Sequence, residues 1–365
     1  MFIESEVSNK FKNFLFIIFF LFAIACSKDP VTEKQPAAAK APATTELAST
    51  VTDDVERKKF RDELILLLDQ ENFAELERIA HAVTTRKDRF PGGDWKLSRF
   101  YESVGSTPGM PKQADRTDYG KRIVKIRKWI DQKPDSIYAN IALGEAQIGY
   151  AWQLRGGGFA NMVDDQEFEN FHKALKEADQ ILNKMAGRGK ECVEWFRAKQ
   201  SIGTGLGWDR DEMMKLWESA VSAEPLFYTV YSGHAYYLLP RWHGKSGDWE
   251  NFTVSAVTTV SKTHDKQEAD ILYSEICWRM SRFYSGSEFF KQNKVNWLAI
   301  KRGFKERQQR YGESIRYLNA FCNLAGSAGD KPTARALMQR IGDRWEPDFW
   351  IEKKYFDGYK KWAFE

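Results

Sequence analysis

Two tryptophan–arginine pairs supply the side chains in this sequence best suited to recognition chemistry. Arg241 adjoins Trp242, a pairing that can form a cation–π contact or stack on a ligand. Trp152 precedes Arg155 by three residues, one helical turn. Arg155 also opens the run Arg155-Gly156-Gly157-Gly158. There glycine lets backbone N–H groups approach an anion and the arginine adds charge; the plainer reading is a helix stop followed by a loop. With His243 next to Trp242, the candidate binding set is Trp152, Arg155, Arg241, Trp242 and His243.

Catalytic and metal chemistry find less support. His234 and His243 are the nearest histidine pair, but no HExxH motif or carboxylate at ligand spacing accompanies them, so His234 reads as a packing residue. Gly244-Lys245-Ser246 hints at a phosphate loop, yet Leu239 occupies the position where that motif needs its first glycine. Asp164, Asp165, Asp209, Asp211 and Glu212 could do acid–base work, but they open helical runs, where caps are expected. No catalytic residue, metal or cofactor is predicted.

Cys26 carries a different chemistry. Lys10 and Lys12 precede an unbroken apolar run over residues 14–25. Its 12 residues make about 18 Å of helix, short for a bilayer span and right for a secretory signal. The run ends in Ala23-Ile24-Ala25-Cys26-Ser27, which resembles a bacterial lipobox, with Ala23 where Leu is commonest. A thiolate is the soft nucleophile that thioether formation needs. Acyl chains then anchor the protein by about 0.8 kcal/mol per buried methylene. The alternatives are an ordinary signal peptide or an uncleaved anchor. Ser27 rather than Asp after the cysteine favours the outer membrane or periplasmic face if the source is Gram-negative. Residues 27–52 are rich in Ala, Pro, Thr and Lys and lack aromatic residues, which reads as a disordered tether.

Lys plus Arg is 55 and Asp plus Glu is 51, a net charge of +4, which argues against a nucleic-acid partner. The most basic stretch, 121–133, is interrupted by Ile123, Val124, Ile126, Trp129 and Ile130, and predicts an amphipathic helix with a solvated basic face. Cys192, Cys277 and Cys322 sit in apolar contexts and read as buried thiols, with one disulfide open in an oxidising compartment. Thirteen tryptophans are the compositional surplus. Trp129 and Trp217 occupy packing positions, whereas Trp95, Trp152, Trp208, Trp242 and Trp249 fall beside Gly, Arg or Pro in expected loops.

Helical spacing runs through the rest of the chain. Phe60, Leu64, Leu67 and Leu68 share one face, followed by Phe73, Leu76, Ile79, Ala80 and Val83, an αα-hairpin. Residues 253–260, partly alternating, read as helix or loop. Tetratricopeptide-like (TPR-like) spacing appears three times: Trp217, Ala220 and Pro225, followed by Tyr231, Ala235 and Leu238; Pro134 with Leu143-Gly144; and Leu318, Phe321 and Ala325, followed by Ala334, Met338 and Ile341. Pro347 is expected to open a terminal helix carrying Tyr355, Tyr359 and Trp362.

Asp94-Trp95-Lys96-Leu97 with Phe100-Tyr101, Tyr150-Ala151-Trp152 with Arg155-Gly156, Gly207-Trp208, and Leu239-Pro240-Arg241-Trp242 with Gly244 resemble a bacterial domain-of-unknown-function family, number 4034. The resemblance covers most of residues 60–345, with His243 where the family pattern has Gly. It implies a helical, often secreted or lipidated protein without an assigned activity, and it transfers no catalytic residue.

The expectation is therefore an all-α fold, a TPR-like array of antiparallel helical hairpins (an α-solenoid) over residues 53–365. A signal peptide at 1–25 and the tether at 26–52 precede it. The expected role is a lipid-anchored envelope scaffold that binds a protein or peptide without catalysis. A glycan-binding lipoprotein using aromatic platforms is the alternative, and a cell-wall-polymer hydrolase a third reading.

Overall fold

Runs with an apolar residue every three to four positions bury one stripe, and most of this chain is built from such runs. The computed structural model describes residues 47–105, 119–156 and 163–365, with side chains described from residue 54 onward. The expected signal segment, Cys26 and the tether up to residue 46 lie outside the described residues. In chain order the helices are α1 (Leu47–Asp69), α2 (Phe73–Arg86), α3 (Lys96–Val104), α4 (Tyr119–Gln132), α5 (Ile137–Arg155) and α6 (Asp165–Asn183). After a 3₁₀ turn (Ala186–Glu191) follow α7 (Glu194–Leu206), α8 (Arg210–Ala223), α9 (Tyr228–Tyr237), α10 (Asp248–Thr263), α11 (Lys266–Ser281) and α12 (Glu288–Gln292). The last five are α13 (Trp297–Tyr311), α14 (Ile315–Ser327), α15 (Lys331–Ile341), α16 (Pro347–Trp350) and α17 (Lys353–Phe364). No strand occurs among the described residues; a single isolated antiparallel bridge joins Arg89 and Trp95.

The ends of these helices follow their local chemistry. Asn72, Ser136, Asp265, Asn296 and Asp330 each accept a hydrogen bond from a first-turn backbone N–H. Asp164 and Asp209 form full capping boxes with Glu167 and Glu212. Helix α1 begins at Leu47, six residues before the expected boundary at Asp53. Pro42 is the last proline before it, so nothing in 47–52 blocks helical extension.

Most neighbouring helices pack against one another, and pairs further apart in the chain, such as α9 with α11 and α11 with α13, join them in one buried core. Helix α5 is central: it packs against α2, α3, α4, α6 and α7, and its apolar residues Ile137, Ile141, Ala142, Ala146 and Ala151 are all buried. Gly144 allows α6 to approach, because a Cβ there would lie 2.7 Å from a methyl of Leu182. On α4, Ile126 and Trp129 are buried, while Lys125 pairs with Asp69 at 2.6 Å and Lys128 pairs with Glu71. The basic face of α4 is thus partly neutralised by acids at the turn joining α1 and α2.

Helices far apart in the chain also meet. Helix α1 packs against α14. The loop between α2 and α3 inserts beside them: Gly92 donates its N–H to the Tyr311 carbonyl at 2.9 Å, and Arg307 donates back to the Gly92 carbonyl at 2.9 Å.

Two loop expectations are corrected: Trp152 lies in the last turn of α5, and Trp249 is buried inside α10. Trp95 does lie outside the helices, as the residue just before α3, and is buried. Of the two readings of residues 253–260, the helical one holds, within α10. The terminal helix expected from Pro347 is two helices, broken at Ile351 with φ 63°. The break lets Trp350 insert into the core, where its indole N–H donates to Asn319 Oδ1 at 2.7 Å.

Candidate functional site

Pro240 follows the end of α9 and cannot continue a helix, so the chain turns. The turn closes through Trp242 N–H to the Leu239 carbonyl at 2.9 Å and His243 N–H to the Tyr237 carbonyl at 3.1 Å. It swings Trp242 against the C-terminal turn of α5. The indoles of Trp152 and Trp242 meet edge to face, 5.6 Å between centroids at 87°. Trp152 also packs on Phe171 at 4.9 Å and Trp242 on Tyr236 at 5.5 Å.

Arg155 sits in this group, its guanidinium carbon 5.7 Å from Trp152, 5.6 Å from Trp242 and 5.8 Å from Phe168. Burial lowers the Arg155 pKa, and the positive charge of Arg241 adds to the effect. Arg241 is exposed and lies 5.6 Å over Phe283, which in turn packs on Tyr236 at 4.9 Å. Trp152, Arg155, Arg241 and Trp242 therefore converge on one aromatic cluster at the ends of α5 and α9. His243 turns away: its Nε2 is 2.8 Å from the Thr204 carbonyl, and its ring stacks on Tyr237 at 4.8 Å. Gly157 and Gly158 of the anion-loop reading lie outside the described residues.

The other chemistry-bearing residues have structural roles. Asp164 accepts from Glu167 N–H at 2.7 Å, and Asp209 accepts from Asp211 and Glu212 N–H at 2.9 Å each. His234 is buried against Phe252 at 4.6 Å and Trp217 at 5.7 Å, and desolvation pushes its pKa down to about 4. Leu239 and the Gly244-Lys245-Ser246 segment follow a helix, not a strand. Cys192, Cys277 and Cys322 are free and buried, and desolvation raises all three thiol pKa values, to about 12 for Cys192 and Cys322. No set of three or more His, Cys, Asp or Glu residues able to hold a metal is present among the described residues.

Two buried charge clusters escaped the sequence reading. In the first, Asp94 contacts Arg57 at 2.5 Å and accepts from Tyr317, while Glu275 holds Arg307 at 2.6 Å and Arg279 at 2.7 Å. Burial opposes ionisation of Asp94, but Arg57, Arg316 and Arg307 together hold its pKa well below the ordinary carboxylate range. In the second, Arg197 spans Glu145 and Glu194, both buried, and each carboxylate keeps one buried oxygen without a partner among the described residues. Burial raises both pKa values against the pull of Arg197. The available signal was a charge in the middle of an apolar helix, as Glu145 is in α5.

No family model matches this chain, and no curated protein or solved structure is detectably similar to it.

Proposed function

We propose that this protein is a lipid-anchored envelope protein whose TPR-like helical body binds a protein or peptide partner. The observation that carries the binding reading is the convergence of Trp152, Trp242, Arg155 and Arg241 at the ends of α5 and α9. Partly exposed Trp and Arg side chains held rigidly by neighbours are what protein interfaces use as anchors. Arg241 stands exposed at the edge of the cluster, where a guanidinium can meet a partner's carboxylates or carbonyls. The glycan reading is weaker here, because Trp152 and Trp242 are occupied by each other, by Phe171 and Tyr236, and by Arg155. The hydrolase reading is weaker still, since Asp164 and Asp209 are engaged as helix caps. The membrane attachment rests on the lipobox at Cys26, and the relation to family 4034 rests on its quoted motifs.

Pull-down of the full-length protein from detergent-solubilised native membranes tests the binding reading. A co-purifying protein lost with Arg241→Ala or Trp242→Ala is the expected result. A partner indifferent to both substitutions, or a glycan-array signal with no protein partner, overturns it. Cys26→Ala should leave an unprocessed precursor; normal processing and membrane retention of that variant refute the lipid anchor.

A further inference from the structure

Ser314 occupies the N-cap position of α14, where a serine hydroxyl ordinarily accepts from a first-turn backbone N–H. Here it makes no capping bond. The residue is 2% exposed, and its Oγ is buried without a hydrogen-bond partner among the described residues. Gly92 presses against it: a Cβ on that glycine would fall 2.5 Å from Ser314 Cβ and 3.2 Å from Oγ. The Gly92 φ of 82° suits a residue without a Cβ.

Arg307 reaches the same glycine from α13. It is 2% exposed. One terminal nitrogen donates to the Gly92 carbonyl at 2.9 Å and the other to Glu275 at 2.6 Å, while the guanidinium carbon lies 4.1 Å over the Tyr317 ring. The Nε–H is buried and has no partner among the described residues. A buried donor and a buried hydroxyl left unmatched at one spot are rare in folded proteins, and an ordered water or ion is the usual answer.

A cavity of about 20 Å³ lies where these residues meet. Gly92, Arg307, Ser314 and Tyr317 line it, together with Phe304 and Phe321, whose rings stack at 4.6 Å. One water needs about 10–15 Å³ and two to four polar partners, whereas pockets for organic ligands begin near 300 Å³. The charges do not favour an anion. Glu275 already answers Arg307, and Glu313 adds a carboxylate to the wall, held by Arg340 and by Gln308 at 2.9 Å.

We infer that this cavity is a binding site for a single ordered water that joins Arg307, Ser314 and Gly92. The water oxygen accepts from Arg307 Nε–H and from the Ser314 hydroxyl, and one water hydrogen goes to the second lone pair of the Gly92 carbonyl. The serine hydroxyl is thereby engaged away from the helix it begins. The water completes the junction between the loop joining α2 and α3 and the turn joining α13 and α14. The site is separate from the Trp152–Trp242 cluster and does not depend on that cluster's binding a protein.

A crystal structure of the full-length protein, at a resolution that shows ordered water, tests the site directly. One density peak is expected about 2.7–3.2 Å from both Arg307 Nε and Ser314 Oγ. A dry cavity, or an anomalous peak there after a bromide soak, which would make the occupant a halide, overturns the proposal. In solution, magnetic relaxation dispersion of the water oxygen counts long-lived internal waters. Ser314→Val removes the hydroxyl and puts a methyl group into the water's space, so the count should fall by one relative to the parent. An unchanged count in a variant whose circular dichroism spectrum matches the parent's overturns the proposal as well.

Discussion

Tyr317 donates its phenolic hydrogen bond to Asp94, a carboxylate 223 residues earlier in the chain. The bond ties the start of α3 to the start of α14 inside a buried charge network. Removing the acid takes from Arg57 and Arg316 the carboxylate that they share, while Arg316 keeps Asp348.

Asp94→Asn should therefore destabilise the protein by about 3–5 kcal/mol at pH 7, the usual cost of breaking a buried ion pair from one side. Because the folded-state pKa of Asp94 lies below its ordinary value of 3.8, its contribution is complete above that value and is lost as pH falls through the depressed one. Urea denaturation at pH 7 and pH 3 should show the gap between parent and variant narrowing in acid. An unchanged midpoint at pH 7 would show that the network is not holding the two ends together.

Glu194 behaves in the opposite sense. Desolvation, with Glu145 adding and Arg197 opposing, lifts its pKa from 4.5 to about 7. A raised carboxyl contributes stability below its unfolded-state pKa and loses it as pH rises through the folded-state value. The parent should weaken between about pH 4.5 and pH 8, and Glu194→Gln should flatten that slope. At pH 8 the variant should be the more stable by about 1–3 kcal/mol, read from urea midpoints. Parallel pH profiles for the two proteins would refute the assignment.

Gly303 on α13 faces α11 so closely that a Cβ would fall 2.0 Å from the Asp270 carbonyl oxygen. Alanine is the better helix former by about 1 kcal/mol. Gly303→Ala should nonetheless destabilise by about 1–3 kcal/mol, because the helices must separate to admit the methyl group. A thermal melt showing a higher midpoint would indicate that the two helices yield freely.

Much of the helical layout was legible because burial in a helix imposes a period on the sequence. Phe73, Leu76, Ile79, Ala80 and Val83 line the buried face of α2, and Leu318, Phe321, Ala325, Ala334, Met338 and Ile341 are buried on α14 and α15. Capping at Asp164 and Asp209 was legible for the same local reason. The convergence of Trp152 and Arg155 with Trp242 depends on how α5 meets α9, which no local spacing encodes. The Asp94 network was hidden further, since its partners come from opposite ends of the fold. The break at Ile351 was missed because Tyr355, Tyr359 and Trp362 keep helical spacing on either reading; what decides it is the burial of Trp350 beside Asn319.

The contact of α1 with α14 gives the molecule a particular mechanical character. In a linear stack of repeats each unit leans only on its neighbours, so the ends fray first and units can be added or lost. Here the first and fourteenth helices brace each other, and neither terminus of the folded body is expendable. Deleting α14 to α17 would strip the support from α1 and unlatch the loop at Gly92, so unfolding should spread from both margins at once. Evolution or engineering that lengthens this chain by a hairpin must therefore re-cut the seam between beginning and end.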